Sequence, residues 1–212
     1  MSRIPAKKLF ATVLLAAVCV GGILLVRVMR PDPSEVLKRR MAERSMGAEK
    51  APVWITEYFD YQCPPCAIAA KTLKEAITQK PDRYFLQARY YPLPAHKNAL
   101  KAAVYAECVS RQKGRFWAFH EAVFEHQKDW AKDPYPQIHF ARYAEAAGAD
   151  LHALDACVSD PKVQEAVEEE KKKGSDLGVQ ITPSFFVNGK LVVGNQALKQ
   201  ELEQAVEVPH EA

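Results

Sequence analysis

The spacing of apolar and polar positions changes several times along the chain, and each change marks a boundary. Leu9 to Val26 (LFATVLLAAVCVGGILLV) is 18 residues without a charge, apolar on every side of a helix. A helix of that length spans about 27 Å, enough for the hydrocarbon core of a bilayer. Arg3, Lys7 and Lys8 precede it and favour a cytoplasmic start for residues 1–8. Two readings fit residues 9–26: a transmembrane signal anchor that stays, or a signal peptide that is removed. No small-x-small cleavage pattern follows the run, which favours the anchor. Cys19 lies inside it, behind the bulky Val18, and reads as a lipid-facing apolar residue. Residues 27–50 are polar, with Pro31 and Pro33 ending any continuation of the helix; they read as a tether.

From Pro52 the period changes to two. Val53, Ile55, Glu57 and Phe59 alternate with Trp54, Thr56 and Tyr58, the pattern of a strand. Cys63-Pro64-Pro65-Cys66 follows at once. Cys66, Ala70, Leu73 and Ile77 then recur at helical spacing up to Gln79, and Pro81 closes that helix. Residues 84–91 predict a second strand. Residues 97–175 hold a block of helices, with Leu100, Ala103, Val104 and Cys108 on one face and Phe116, Phe119, Val123 and Phe124 on another. Further helices are expected over 138–147, 150–158 and 163–173. Strands return at 184–187 and 190–193 around Asn188-Gly189, a type I′ hairpin signal. A last helix carries Leu198, Leu202 and Val206. There is no internal repeat.

Composition narrows the function classes. With 48% hydrophobic and 26% charged residues, the chain is neither disordered nor fibrous. A formal charge of +3 gives no footprint for a nucleic-acid partner. Five cysteines are too few for a disulfide scaffold, and an export signal places them in an oxidising compartment.

The cysteine pair sits where a strand ends and a helix begins. There the free N–H groups and the positive end of the helix dipole stabilise a thiolate at Cys63. Cys66, one turn inside, faces the core. An exposed low-pKa thiol beside a shielded resolving thiol is the layout for thiol–disulfide exchange through a Cys63–Cys66 disulfide. A zinc site would need a second close pair or histidines at ligand spacing; Cys108 and Cys157 are far apart, and His96, His120, His126, His139, His152 and His210 show no such spacing. No metal and no cofactor is expected. Pro64 and Pro65 fit the first helical turn but remove two donors that could face the Cys63 sulfur, so its thiolate is expected to be less stabilised than in a pair with an intervening His. Glu57 shares the inward face of its strand and falls beneath the cysteines, where a carboxylate is costly unless paired or protonated. It reads as a proton partner of Cys66, with Arg89 on the next strand as a candidate counter-charge, or as an edge residue.

Three segments, ITEYFDYQCPPC at 55–66, YYPLPAHKNALKAA at 90–103 and GVQITPSFFVNGK at 178–190, resemble the DsbA family of bacterial thiol-disulfide oxidoreductases. The resemblance covers residues 52 to about 207. It implies an α/β thioredoxin-like fold over about 51–208 with a helical insertion at about 97–175, preceded here by one N-terminal transmembrane helix. It implies Cys63 as the attacked and attacking sulfur, Cys66 as the resolving one, Glu57 as the buried acid, and a cis-proline at Thr182-Pro183 facing the pair. It further implies exported protein substrates, a membrane redox partner, and a catalytic domain in the periplasm, held at the inner membrane by residues 9–26 or free after cleavage. The function expected is dithiol oxidation. Pro65, where the best-known oxidases have His, and Thr182, as in the isomerase branch, keep a reductase or isomerase as the alternative. A thiolate metal-binding protein, with the pair holding a soft ion such as Cu(I), is a third reading. Cys108 and Cys157 fall on two helices of the insertion and are the remaining partners for a structural disulfide, unless they are two buried free thiols.

Overall fold

A computed structural model describes Lys38 and residues 41–207. The span expected to cross a membrane, residues 9–26, and most of the expected tether lie outside the described residues. Within them, no helix is long and apolar enough to cross a membrane.

Among the described residues, five strands form one mixed sheet in the order β1-β3-β2-β4-β5: β1 Ser45–Gly47, β2 Val53–Phe59, β3 Tyr84–Tyr90, β4 Ser184–Val187 and β5 Lys190–Val193. β2 and β3 run parallel, joined by the crossover helix α1 (Pro64–Gln79), and the other pairings are antiparallel. The period-two pattern of β2 decides which side faces inward. Val53, Ile55, Leu86, Phe185, Val187 and Val192 pack against Ala69, Leu73 and Ile77 of α1 and against Leu198 and Leu202 of α8 (Asn195–Glu207). Glu57 lies on this same side, paired in register with Ala88 and Phe185. The β4–β5 hairpin turns at Asn188 and Gly189, with φ of 47° and 85°, the two positive values that a type I′ turn requires.

The helical block sits between β3 and β4 as expected. It comprises α2 (Ala99–Ser110), α3 (Phe116–Glu125), α4 (Gln127–Trp130), α5 (Gln137–Ala146), α6 (Leu151–Val158) and α7 (Pro161–Asp176). Asp150 and Asp160 start α6 and α7 by accepting backbone N–H groups of the first turn, from His152 and Ala153 and from Lys162. Pro161 fits the N-terminal turn of α7, where its missing N–H has no intrahelical partner. The block closes over its own apolar cluster, including Phe116, Phe119, Trp130, Phe140 and Val163, which runs on into Phe59 and Tyr61 beside the cysteines. A disulfide between Cys108 and Cys157 joins α2 to α6.

The far side of the sheet is covered in part by α7, which approaches very closely at Gly174. A Cβ there would meet the Tyr58 ring at 2.6 Å. The same helix presents Glu170, whose carboxylate takes two 2.8 Å hydrogen bonds from the guanidinium of the buried Arg44, itself 4.4 Å from the centre of the Tyr90 ring. This pair explains a departure from the expected tether over 27–50. Residues 45–47 form β1 on the edge of the sheet, with Ser45 opposite Gln87, and Arg44 is a core residue. A three-residue strand is too short to show a period.

The disulfide closes a loop of 49 residues, for which the chain-entropy account gives about 4 kcal/mol. Replacing both cysteines by Ser is expected to cost about that much in denaturant unfolding of the reduced-pair protein, and a loss under about 1 kcal/mol would contradict it.

Candidate active site

Helix α1 begins at Pro64, directly after Cys63, which is its N-cap in extended conformation with φ −81° and ψ 116°. Both prolines lie in the first turn, where their preset φ suits a helix and their missing N–H groups cost no intrahelical bond. The turn closes by a 3.0 Å bond from the Cys66 N–H to the Cys63 carbonyl. Both cysteines are free thiols, the reduced form of the pair. Cys66 is fully buried, as its position on the inner face of α1 requires. Cys63 corrects the expectation of an exposed thiol: it is only 5% exposed, because the loop bearing Pro183 covers it. Cys63 Sγ donates to the Thr182 carbonyl at 3.4 Å, and the Thr182–Pro183 peptide is cis.

The two sulfurs have opposite acidities. The Cys63 thiol is lowered to about 6, chiefly by its hydrogen bond with Cys66 and against the cost of burial. The Thr182 hydroxyl and the Cys66 N–H also favour the thiolate, and the nearby charge of Asp60 opposes it. Burial raises Cys66 well above the usual thiol range, and the bond and charge of Cys63 raise it further. The lower-pKa thiol of this pair is therefore the outer one, and the inner one stays protonated.

Glu57 lies beneath them, 1% exposed, and burial followed by the charge of Cys63 pushes its carboxyl up to about 8. Among the described residues, its Oε1 has no hydrogen-bond partner. Arg89 is not its counter-charge. Arg89 pairs in register with Tyr58 rather than with Glu57, so period-two alternation sends it to the opposite side of the sheet, where its guanidinium meets Met41 Sδ and Gln87 Oε1. Glu57 instead borders a cavity of about 370 Å³ between α1 and α3, walled by Ala67, Ala70, Trp117, Phe124 and His120. Burial lowers His120 to about 3, so it is neutral there, and its Nδ1 lies 3.1 Å from the Tyr61 hydroxyl.

Polar residues that the sequence reading passed over hold this loop in place. Gln127 of α4 donates to the carbonyls of Tyr61 at 2.7 Å and Cys63 at 3.0 Å. Gln62 accepts from the Asn98 N–H and donates to the Ala131 carbonyl. Asn195, at the start of α8, donates to the Pro65 carbonyl. The only hint available was the run Asp60-Tyr61-Gln62 before the cysteines. Among the described residues, no three His, Cys, Asp or Glu side chains are grouped as a metal site would need.

A strand feeding a helix through a Cys-x-x-Cys turn, with a cis-proline loop against the first sulfur and helices inserted before the final hairpin, defines a protein of thioredoxin-like fold. The chain belongs to the thioredoxin family: the family model described as Thioredoxin matches residues 40–207. It is 32% identical over 173 residues to the Na(+)/H(+) antiporter NhaA 1 of Mycolicibacterium vanbaalenii, covering 79% of this chain but 25% of the antiporter; the chain thus spans about a quarter of the length of that relative. It is 26% identical to the probable disulfide bond formation protein D of Bacillus cereus, over 70% of this chain and 71% of that one. A crystal structure of a thioredoxin-like oxidoreductase from Silicibacter pomeroyi superposes with a TM-score of 0.63 at 26% identity, covering 78% of this chain and 92% of that one.

The raised pKa of Glu57 has a consequence for stability. Folding favours its protonated form, so its contribution falls as pH rises from the ordinary carboxyl range through about 8. Glu57→Gln is expected to match wild type near pH 4.5 and to exceed it progressively in denaturant unfolding, by on the order of 4 kcal/mol above pH 8. Parallel pH profiles for the two proteins would contradict this.

Proposed function

We propose that the chain is a thiol-disulfide oxidoreductase of the DsbA type, acting on exported proteins as a dithiol oxidase. The observation that carries this reading is the split between Cys63, whose thiol is lowered to about 6, and Cys66, raised far above it, within one helical turn. In the oxidised enzyme a substrate thiolate attacks Cys63 Sγ. The Cys63–Cys66 bond breaks, a mixed disulfide forms, and the electron pair leaves on Cys66, which takes up a proton. Glu57, whose charge acts on Cys66 and which feels the charge of Cys63, is mostly protonated at pH 7 and supplies it. A second substrate thiolate attacks the substrate sulfur of the mixed disulfide and releases Cys63 as a thiolate. Two electrons pass to the pair, and the substrate leaves with a disulfide. The lowered pKa makes Cys63 the better leaving group, which drives this second step.

The Thr182 backbone, whose carbonyl is within reach of Cys63 Sγ, is where a substrate strand would pair beside the reacting sulfur. Returning the pair to the disulfide needs an external oxidant. An anchor at residues 9–26 would hold the site beside a membrane redox partner, in the periplasm of a bacterium. Thr182 and a Cys63 pKa between the values of about 3.5 and 7 found at either end of the fold's range support the reverse use, as a reductase or isomerase, as the second reading.

The deciding measurement is the reduction potential of the pair against glutathione, together with oxidation of a reduced, unfolded protein. A potential nearer about −120 mV upholds the oxidase, and one nearer about −270 mV upholds the reductase. Cys63→Ser is expected to abolish both dithiol oxidation and disulfide reduction, and retained activity in either assay would refute the assignment. In the reductive direction, the rate of Cys63 attack on a small disulfide should rise with pH through a midpoint near 6 and then level off, because the thiolate is the nucleophile.

A further inference from the structure

Asp60 is a buried carboxylate three residues before Cys63, with a side chain fully shielded from solvent. Its Oδ1 accepts from the Gln62 N–H at 2.7 Å. Its Oδ2 accepts from the Leu93 N–H at 2.8 Å and lies 2.7 Å from His96 Nδ1. Its carbonyl accepts from the Cys63 N–H at 3.1 Å, so the charge sits at the root of the reactive turn. The two peptide donors satisfy hydrogen bonds but bring no net charge. Among the described residues, His96 is the one side chain bonded to Asp60, and hence the one bonded group able to carry a compensating charge. Its ring is 26% exposed.

We propose that His96 is a positioning residue for the exchange reaction: its imidazole holds Asp60 and offsets the negative charge that this carboxylate projects onto the Cys63 sulfur. The idea rests on Cys63 being the exchanging sulfur.

The groups that act on that sulfur are few. Cys66 from α1 and Thr182 from the loop before β4 favour its thiolate, and Asp60 disfavours it. Glu57 of β2 titrates near 8, above Cys63, so it is still largely neutral when Cys63 ionises. Asp60 is then the carboxylate the thiolate has to face, and its like charge disfavours the thiolate. Among the described residues, the imidazole of His96 is the side chain bonded to Asp60 and so placed to relieve that repulsion.

The arrangement also separates charge from scaffolding. The loop carrying His96 is fixed by other bonds: the Asn98 N–H to Gln62 Oε1 at 2.8 Å, the Asn98 amide to the carbonyls of Trp130, Ala131 and Asp133, and the His96 N–H to the Leu93 carbonyl. Losing the imidazole leaves this frame standing. His96→Gln keeps a donor but can carry no charge. His96→Lys returns a positive charge.

The test is the pH profile of iodoacetamide alkylation of Cys63 in the reduced full-length chain, read by mass spectrometry. His96→Gln is expected to move the midpoint upward and slow alkylation at pH 5.5 by about threefold or more, with His96→Lys recovering part of the loss. Asp60→Asn should move the midpoint downward, and adding His96→Gln to it should change nothing further. A His96→Gln profile that overlays wild type overturns the proposal, as does an equal effect of His96→Gln in the Asp60→Asn background. If Asp60→Asn fails to fold, the His96→Gln and His96→Lys pair decides alone. A Cys63 that shows no thiolate reactivity in the wild-type chain would sink the proposed function instead, so the two failures are distinct.

Discussion

Two thiols one helical turn apart would ordinarily titrate together, and disulfide exchange needs them to differ. The protein separates them by position. Cys63 stands at the mouth of α1, beside the Thr182 hydroxyl, within reach of the Cys66 N–H, and hydrogen-bonded to the Cys66 thiol. Cys66 lies on the inner face among apolar atoms, where only the neutral form is comfortable. The two effects reinforce each other, because a proton kept on Cys66 is one that can stabilise charge on Cys63. Every other feature around the site maintains this difference: the sheet that fixes where α1 starts, the insertion that caps it, and the loop of Pro183 that closes over it.

The insertion does more than enlarge the core. Its short helix α4 supplies Gln127, which ties down the carbonyls on either side of Gln62, and the segment after α4 receives the side chains of Gln62 and Asn98. The reactive turn is thus held from the insertion side by side-chain amides, which carry no net charge and leave the electrostatics of the pair to Cys66, Thr182 and Asp60. On the sheet side, Glu57 brings an acid whose proton is retained at neutral pH, beside a cavity lined in part by two alanines of α1. The small side chains leave room next to a group that would otherwise be sealed.

Much of this could be read from periodicity. The alternation of β2 placed Glu57 inward, the change to helical spacing put the cysteines at a junction, and Asn188-Gly189 located the hairpin. The residues that escaped were polar ones whose meaning lies in distant partners. Arg44 reads as a solvated charge in a polar segment until Glu170, 126 positions away, is beside it. Asp60 and His96 are 36 positions apart and share no pattern. Arg89 is a candidate partner of Glu57 by its place on the neighbouring strand, yet a one-residue offset in register sends it to the opposite side. The burial of Cys63 depends on a loop more than a hundred residues later, which no local rule reaches.

The hydrogen atom that serves as the side chain of Gly174 has leverage out of proportion to its size. With nothing between α7 and the ring of Tyr58, that helix can lie low enough for Glu170 to reach Arg44 across the top of β3. Any larger side chain would act as a spacer under the C-terminal half of the helix and draw the carboxylate away from a guanidinium that has no water to fall back on. The first strand, which the sheet holds by only three residues, would lose the partner of its neighbouring arginine at the same stroke, so a change on one helix would be felt at the opposite edge of the sheet.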